Sequence, residues 1–247
     1  MTTDLKTRVR EGWQQALRGV LARSRSLGAQ AVLAFDLDST LLNNSPRNAR
    51  IFREFGQARA HARLGACEPR HWVSGFDMRG AMRNCGLSDA EVQSLYPEVR
   101  AFWMERFFTS DYCVEDVATE GAAAFTHAVR STGAHLAYIT GRHEGMRAGT
   151  ESCMRRNGLA LPGEGRVHLW MKPDARDDDD AFKRTAHARL GELGTVIAAF
   201  DNEPTHANDY LRRFPEACVI HLATDHSGRP VVLLDGIISV PHFSHES

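Results

Sequence analysis

The sequence lacks a long apolar run, a strong net charge and a leader-like N-terminus, and each absence excludes a class of protein. No stretch approaches the roughly 18 consecutive apolar residues that a membrane-spanning helix requires. The first residues include acidic Asp4 and form no apolar core, which is not the pattern of a secretory signal. The formal net charge of −1 gives no general attraction to nucleic acid or to a membrane surface. We therefore predict a cytoplasmic protein with no membrane partner, and nucleic acid is not an expected partner.

Cysteines are few and widely spaced. There are five, an odd number, with no Cys-x-x-Cys pair among Cys67, Cys85, Cys113, Cys153 and Cys218. Disulfide frameworks and zinc sites usually show paired, close spacings in the sequence. We therefore predict free thiols in a reducing compartment and no zinc site.

The apolar pattern indicates one core of alternating strands and helices. The chain has 247 residues, of which 43% are hydrophobic, enough for one domain plus an insertion. Helical spacing predicts an N-terminal helix over residues 4–24. Apolar runs predict strands at 31–35, 134–139, 167–171, 195–200, 217–222 and 231–234.

The segment from residue 46 to residue 117 has a helical pattern only. Ser45-Pro46 is a helix start, and Ser88 with Glu91 forms a capping box. Apolar residues then keep helical spacing as far as Phe107, with Pro97 expected to kink or divide the helix. We therefore predict an all-helical insertion between the first two strands of the core.

Two carboxylates follow the first predicted strand. Asp36 and Asp38 come directly after the apolar run 31–35, and residues i and i+2 of an extended backbone point to the same side. Ligands of open α/β sheets bind at this end of the strands. Two like charges held close together favour a cation, and oxygen ligands suit Mg²⁺. We therefore predict a magnesium site here.

Two later strands also end in polar groups. Thr140-Gly141-Arg142 precedes a helix predicted from about residue 145, and a hydroxyl, a glycine and a helix N-terminus suit a bound phosphate. The fourth strand ends at Asp201-Asn202. These side chains are expected at the same edge of the sheet as Asp36.

Together these motifs resemble those of the haloacid dehalogenase (HAD) superfamily, most of whose members are Mg²⁺-dependent phosphatases. The matching positions are Asp36, Asp38 and Thr40 for the first motif, Thr140 for the second, Lys183 for the third, and Asp201 and Asn202 for the fourth. The resemblance implies a doubly wound parallel α/β sheet, a Rossmann-like core of residues 1–45 and 118–247. It also implies that residues 46–117 are a helical cap that closes over the site and selects the substrate.

The resemblance further implies a role for each residue in the hydrolysis of a small phosphorylated metabolite. Asp36 would be the nucleophile and Asp38 the general acid and base. The phosphoryl group would be bound by Thr140, Gly141, Arg142 and Lys183. Mg²⁺ would be held by Asp36, the backbone carbonyl of Asp38, Asp201 and Asn202.

The sequence departs from the family pattern at two places. Ser39 stands where many capped members have glycine. The fourth motif has Phe200 before its acid and Asn202-Glu203 after it, so the outer metal ligand is either Asn202 or Glu203.

Other functions fit parts of the same pattern. Short strings around Thr140, Lys183 and Asp201 are similar to polynucleotide 3′-phosphatases, a phosphotransferase would share every motif, and a non-catalytic binding module could retain the fold. A dehalogenase has no use for a second acid at Asp38. The intact positions Asp36, Asp38, Thr140 and Lys183 argue against a non-catalytic module, whereas the sequence leaves a phosphotransferase open. We favour the metabolite phosphatase, because most members of the family that the motifs resemble are phosphatases.

Two lysines could bind the phosphate. Lys172 ends the third strand, and Lys183 lies in the first turn of a helix that follows a polar loop. A helix-borne ammonium is more rigidly positioned, so we predict Lys183 as the phosphate ligand, with Asp179 holding it in place.

Overall fold

A computed structural model describes residues 8–245 of the protein. Its centre is a sheet of six strands, every one of which is paired in parallel. The strands are β1 (Ala31–Phe35), β4 (His135–His143), β5 (Val167–Lys172), β6 (Thr195–Asp201), β7 (Cys218–Leu222) and β8 (Ile238–Val240). Two short strands, β2 (Leu42–Asn43) and β3 (Val117–Ala118), pair separately.

The order of the strands in the large sheet is β5-β4-β1-β6-β7-β8. The chain first builds outward from β1 on one side and then returns to build on the other side, which is the doubly wound arrangement. This confirms the predicted fold class. The order reverses beside β1, and in such sheets the crevice at that point, outside the carboxyl ends of the strands, is where ligands bind.

β1 is buried on both faces because all five of its residues are apolar and fully buried. On either side, its neighbours β4 and β6 contribute buried residues such as Ile139 and Ala199 to the same core. Five of the six predicted strands are present at nearly the predicted positions. The sixth is wrong, because residues 231–234 are not in a strand and the last strand is β8.

The chain divides into two compact units. The first consists of residues 1–42, 118–144 and 154–247, and contains the large sheet. Its helices are α1 (Gln14–Leu27), α7 (Ala122–Ser131), α9 (Asp179–Leu193) and α10 (Pro204–Arg213). The prediction that α1 begins at residue 4 is wrong within the described residues, because Gly12 adopts a φ of 76° and the helix starts two residues later. Residues 4–7 lie outside the described part.

The second unit consists of residues 43–117 and 145–153, and is helical apart from the ends of the short strands. Its helices include α2 (Ser45–Ala58), α3 (Ala62–Gly65), α4 (Met78–Asn84), α5 (Asp89–Phe107) and α6 (Ser110–Cys113), and most of α8 (Arg147–Arg156). It extends past the predicted insertion by residues 145–153. Pro97 does not divide α5. The helix is held on both sides of the proline, because Val92 and Val99 are buried in the same apolar core.

Among residues 8–245, no helix combines the length and the apolar character needed to cross a membrane.

Candidate active site

The turn after β1 fixes the first pair of carboxylates. The backbone N–H of Asp36 donates to the carbonyl of Phe200 at 2.9 Å, which ties the end of β1 to β6. The carbonyl of Leu37 then accepts hydrogen bonds from three successive N–H groups, the last from Leu42 at 2.8 Å. Ser39 adopts a φ of 58°, the left-handed region that favours glycine. Serine therefore occupies a backbone conformation here that glycine adopts without strain.

Lys183 lies between two carboxylates. Its Nζ is 2.8 Å from Oδ1 of Asp36 and 2.7 Å from Oδ2 of Asp201, and all three side chains are buried. Asp36 follows β1, Asp201 is the last residue of β6, and Lys183 projects from the first turns of α9. The structure therefore brings together three of the sequence-predicted site residues.

The pKa values of these groups reflect burial and mutual charge. Burial raises the pKa of Asp36 to about 6, and the neighbouring carboxylates of Asp201 and Asp38 raise it too, while Lys183 opposes them. Burial also acts to raise the pKa of Asp201, but Lys183 and His206 outweigh it and hold that pKa below its usual range. Burial acts to lower the pKa of Lys183, but the two carboxylates raise it above its usual value. Lys183 is therefore a permanent cation beside the nucleophile candidate.

Asp38 is held by Arg142. The guanidinium Nε and Nη2 atoms lie 3.0 and 2.6 Å from the two carboxylate oxygens, Arg142 is only 2% exposed, and Asp38 is about a third exposed. The sequence predicts that Arg142 binds the phosphate. In this structure its guanidinium instead fixes the carboxylate of Asp38, and a phosphate would have to share it.

Thr140 and Gly141 lie within β4 rather than after it, because the strand continues to His143. The pairing with β5 shifts register between Thr140 and His143, and the following helix, α8, begins at Arg147 instead of residue 145. Thr140 is fully buried, and its Oγ1 accepts a hydrogen bond from the N–H of Arg142 at 3.2 Å. A Cβ atom on Gly141 would lie 2.6 Å from the carboxylate of Asp179. A larger residue at position 141 would therefore require the Asp179 carboxylate to shift.

Asn202 does not point its amide at the carboxylates. Its Oδ1 accepts from Thr40 Oγ1 at 3.1 Å, and its Nδ2 donates to the backbone carbonyl of Asp225. The side chain thus ties the turn after β1 to the turn after β6. The oxygen predicted as a metal ligand therefore already accepts one hydrogen bond, from Thr40.

Glu203 has the free oxygen that Asn202 lacks. One carboxylate oxygen accepts from the N–H of Ser227 at 3.0 Å, and the other is buried with no hydrogen-bond partner. Its backbone N–H donates to Asp201 at 2.9 Å. Glu203 thus has a buried acceptor without a partner, whereas the oxygen of Asn202 accepts a bond from Thr40.

The two lysines have different partners. Lys172 donates to the carbonyls of Ala175 and Asp177 and to Oδ1 of Asp179 at 2.6 Å. The prediction that Asp179 holds Lys183 is wrong, because that carboxylate pairs with Lys172. The loop after β5 folds back over its own strand end and brings Asp179 to Lys172.

His206 is part of the site and was missed from the sequence. Its Nδ1 is 3.1 Å from Nζ of Lys183 and 3.4 Å from Asp201, and its Nε2 is 2.8 Å from Asp180. Burial and Lys183 act to lower its pKa, but the two carboxylates outweigh them and raise it. The signal in the sequence was weak: a histidine in the first turn of α10, five residues after Asp201.

The acidic side chains of this site are ligands of the kind that Mg²⁺ uses, although within residues 8–245 no three of them bring carboxylate oxygens within 4.8 Å of one another. Four acidic side chains, Asp36, Asp38, Asp201 and Glu203, outnumber the lysine and arginine of the site. The carboxylates of Asp201 and Asp38 add to the effect of burial, which is the main cause of the raised pKa of Asp36. The buried oxygen of Glu203 without a partner is a further available donor. Mg²⁺ is commonly held by only one or two carboxylates, with waters and substrate phosphate completing its shell. The donor set is therefore of the right kind and charge.

Comparison with known proteins bears on the fold. No protein-family model matches the sequence, and no curated protein matches it. The structure is similar to that of a candidate phosphatase from Clostridium difficile, with 11% identity, 86% of this chain and 94% of that chain covered, and a TM-score of 0.53. It is similar to the protein tyrosine kinase A (PtkA) of Mycobacterium tuberculosis, with 16% identity, 88% and 96% covered, and a TM-score of 0.52.

A haloacid dehalogenase-like hydrolase from Streptococcus pneumoniae also aligns, with 11% identity, 84% of this chain and 92% of that chain covered, and a TM-score of 0.47. At such low identities the likeness concerns the fold. The chain therefore has the Rossmann-like α/β fold, a parallel sheet flanked by helices, that the phosphatase and kinase structures share.

Proposed function

We propose that the protein is a Mg²⁺-dependent phosphomonoester hydrolase of the HAD type, acting through an aspartyl-phosphate on Asp36. The observation that carries this proposal is the buried Asp36 carboxylate at the reversal point of the sheet, with the ammonium of Lys183 at 2.8 Å. A buried carboxylate beside a fixed cation can attack an electrophilic phosphorus, since the charge of the phosphoryl oxygens is met by a preorganised donor.

The first step transfers the phosphoryl group to the protein. A carboxylate oxygen of Asp36 attacks phosphorus, and the bond from phosphorus to the ester oxygen breaks. The leaving alkoxide takes a proton from Asp38. The guanidinium of Arg142 holds Asp38 in the free protein. A substrate phosphate gives Arg142 a competing anion, which would release the Asp38 carboxylate to take up a proton from solvent, and this is the proton that the alkoxide receives.

The second step returns the nucleophile. Asp38, now a carboxylate, takes a proton from a water molecule that attacks phosphorus and breaks the bond to Asp36. Lys183 binds phosphoryl oxygens in both steps, and His206 fixes its ammonium through the 3.1 Å contact. A Mg²⁺ ion held by Asp36, Asp201, Glu203 and the carbonyl of Asp38 would neutralise charge on the phosphoryl group.

The substrate in this proposal is a small phosphorylated metabolite. A phosphotransferase would use the same residues and pass the phosphoryl group to another acceptor. The role of residues 46–117 as a cap that selects the substrate stays a prediction.

Hydrolysis of p-nitrophenyl phosphate is expected to require Mg²⁺. Excess EDTA should abolish it, added Mg²⁺ should restore it, and Ca²⁺ should replace Mg²⁺ poorly, because Ca²⁺ accepts more ligands at longer distances. The measurement follows the release of phosphate and of nitrophenol in the presence of an added alcohol. If the phosphoryl group is transferred to the alcohol, less free phosphate than nitrophenol is released. Full activity in EDTA would refute the metal assignment. Inactivity toward this ester and toward a panel of phosphorylated metabolites would refute the proposed function.

The affinity for Mg²⁺ is expected to fall as the pH drops through about 6. Burial, with Asp201 and Asp38 beside it, raises the pKa of Asp36 to about 6, so this carboxyl stays protonated to a higher pH than usual. The proton competes with the cation, and at pH 5 the apparent Kd should be roughly tenfold weaker than at pH 7. Titration calorimetry in buffers of different ionisation enthalpy measures the proton released.

The matched control is Asp174→Asn, a change of the same kind in an exposed loop. This variant should keep the proton release, whereas Asp36→Asn should lose it. A Kd that is the same at pH 5 and pH 7 would contradict the assignment of Asp36 as a metal ligand.

A further inference from the structure

The second unit brings together three soft or borderline metal ligands from separate short helical segments. The thiols of Cys67 and Cys85 and a ring nitrogen of His71 all lie within 4.8 Å of one another. Among residues 8–245, this is the one group of three or more histidine, cysteine or acidic side chains that is as close as this. The spacings, 4 and 14 residues, do not show the paired pattern on which the prediction of no zinc site was based.

Each of the three ligands is placed by tight local structure. Cys67 follows the short helix α3, and its N–H donates to Leu64 at 3.1 Å. His71 ends a 3₁₀ turn, Pro69–His71, and Cys85 follows α4 with its N–H bonded to Ala81 at 3.0 Å. A side-chain bond from Asn84 to the carbonyl of His71, 2.9 Å, joins the last two segments. The three positions are therefore held in place by bonds that do not involve the ligand atoms.

The side chains have the chemistry that a soft cation needs. Nδ1 of His71 accepts a hydrogen bond from the N–H of Glu68 at 2.9 Å, so its lone pair carries no proton. Cys67 and Cys85 are buried within the apolar core of the unit, and His71 is partly exposed, so a cation can approach from the histidine side. Two thiolates and a neutral imidazole with one divalent cation have no net charge, which suits an apolar surrounding.

We propose that Cys67, His71 and Cys85 form a binding site for a thiophilic divalent cation, Zn²⁺. Zinc bonds of about 2.3 Å to sulfur and 2.0–2.1 Å to nitrogen put tetrahedral ligands roughly 3.5–3.8 Å apart. The three atoms, already within 4.8 Å, need to close by only about 1 Å. Binding would release the two thiol protons, and the neutral imidazole of His71 would supply one ring nitrogen. Water completes the fourth position, and the cation would fasten the 67–71 segment to the end of α4.

Cobalt(II) is the probe for this site, because thiolate ligands give it an intense near-ultraviolet charge-transfer band. The full-length protein, kept under a non-thiol reductant, is stripped with a chelator and titrated with Co²⁺ in excess Mg²⁺, which occupies oxygen-ligand sites. We expect one equivalent of Co²⁺ to produce the band and Zn²⁺ to bleach it. Cys85→Ser should abolish the band, and His71→Gln, at a partly exposed position, should weaken Co²⁺ binding at least tenfold.

The matched control is Cys153→Ser, which alters a buried thiol of the same unit outside the cluster and should leave the band unchanged. Absence of the band in the unaltered protein would overturn the proposal, as would a band that persists in Cys85→Ser. A Cys67–Cys85 disulfide in the reduced preparation, found by peptide mass, would also overturn it. The readout is independent of catalysis, so the site and the proposed phosphatase activity can fail separately.

Discussion

Asp36→Asn is expected to reduce turnover by several orders of magnitude and to leave the fold intact. The change removes the proposed nucleophile, whereas loss of general acid–base assistance alone accounts for about 10²–10⁴. The fold should survive because asparagine has the same shape and its Oδ1 can still accept the bond from Lys183 that Asp36 accepts at 2.8 Å. Burial also raises the pKa of Asp36, which means that its charged form is disfavoured in the native state, so a neutral side chain should not lower the melting temperature.

The measurements are kcat and the thermal unfolding midpoint at pH 7. The control is Asp174→Asn, the same substitution at an exposed position. That control should match the unaltered protein in both. Acid quenching during turnover should trap phosphate covalently on the protein and not on Asp36→Asn. If Asp36→Asn hydrolysed the substrate at the normal rate, with contamination excluded, the aspartyl-phosphate mechanism would be wrong.

Lys183→Met is expected to lose at least ~10²-fold in kcat, the scale of removing one transition-state donor. Lys183 is the ammonium in contact with both Asp36 and Asp201, so its loss removes the charge that faces the phosphoryl oxygens. It also leaves two buried carboxylates without their cation, a change that costs about 3–5 kcal/mol in buried pairs. A lower melting temperature is therefore part of the expected result, and Mg²⁺ should restore some of it by replacing the lost charge.

Lys172→Met is the matched control, because Lys172 is also buried and also paired with a carboxylate, Asp179. Its partner Asp179 is about half exposed, so the loss of stability should be smaller than in Lys183→Met, and the variant should keep kcat or change mainly KM. The split between kcat and stability separates a catalytic ammonium from a structural one. If Lys172→Met lost kcat and Lys183→Met did not, the phosphate-binding lysine would have to be reassigned to Lys172.

The positions of the site residues along the fold could be predicted from the sequence. Burial on both faces makes a parallel strand an uninterrupted apolar run, so the end of the run 31–35 marks the sheet edge at which Asp36 lies. The same reasoning placed Asp201 at the end of β6 and Lys183 in the first turns of α9, and the structure brings these two side chains to Asp36. The prediction of a strand at 231–234 failed because a short apolar run does not by itself make a strand. Of these four residues only Leu233 is buried, and Val232 is exposed.

The partners of those side chains were decided by the tertiary structure. Asp179 pairs with Lys172 and not Lys183, Arg142 holds Asp38, and Asn202 bonds to Thr40. Each of these pairings depends on the path of a loop and on the rotamers that neighbouring side chains allow. Neither can be read from the spacing of residues in the sequence.

The cluster of Cys67, His71 and Cys85 also depends on the tertiary structure. Hydrophobic periodicity reports whether a residue faces a core, and it correctly made residues 46–117 helical. It carries no information on which two ends of short helices meet. Those three ligands come from the ends of α3, a 3₁₀ turn and α4, and only the packing of the unit places them within 4.8 Å. The sequence determined which strands, helices and sheet edges form, because these depend on the local pattern of burial. The tertiary structure determined which side chains meet, because that depends on how separate elements pack against one another.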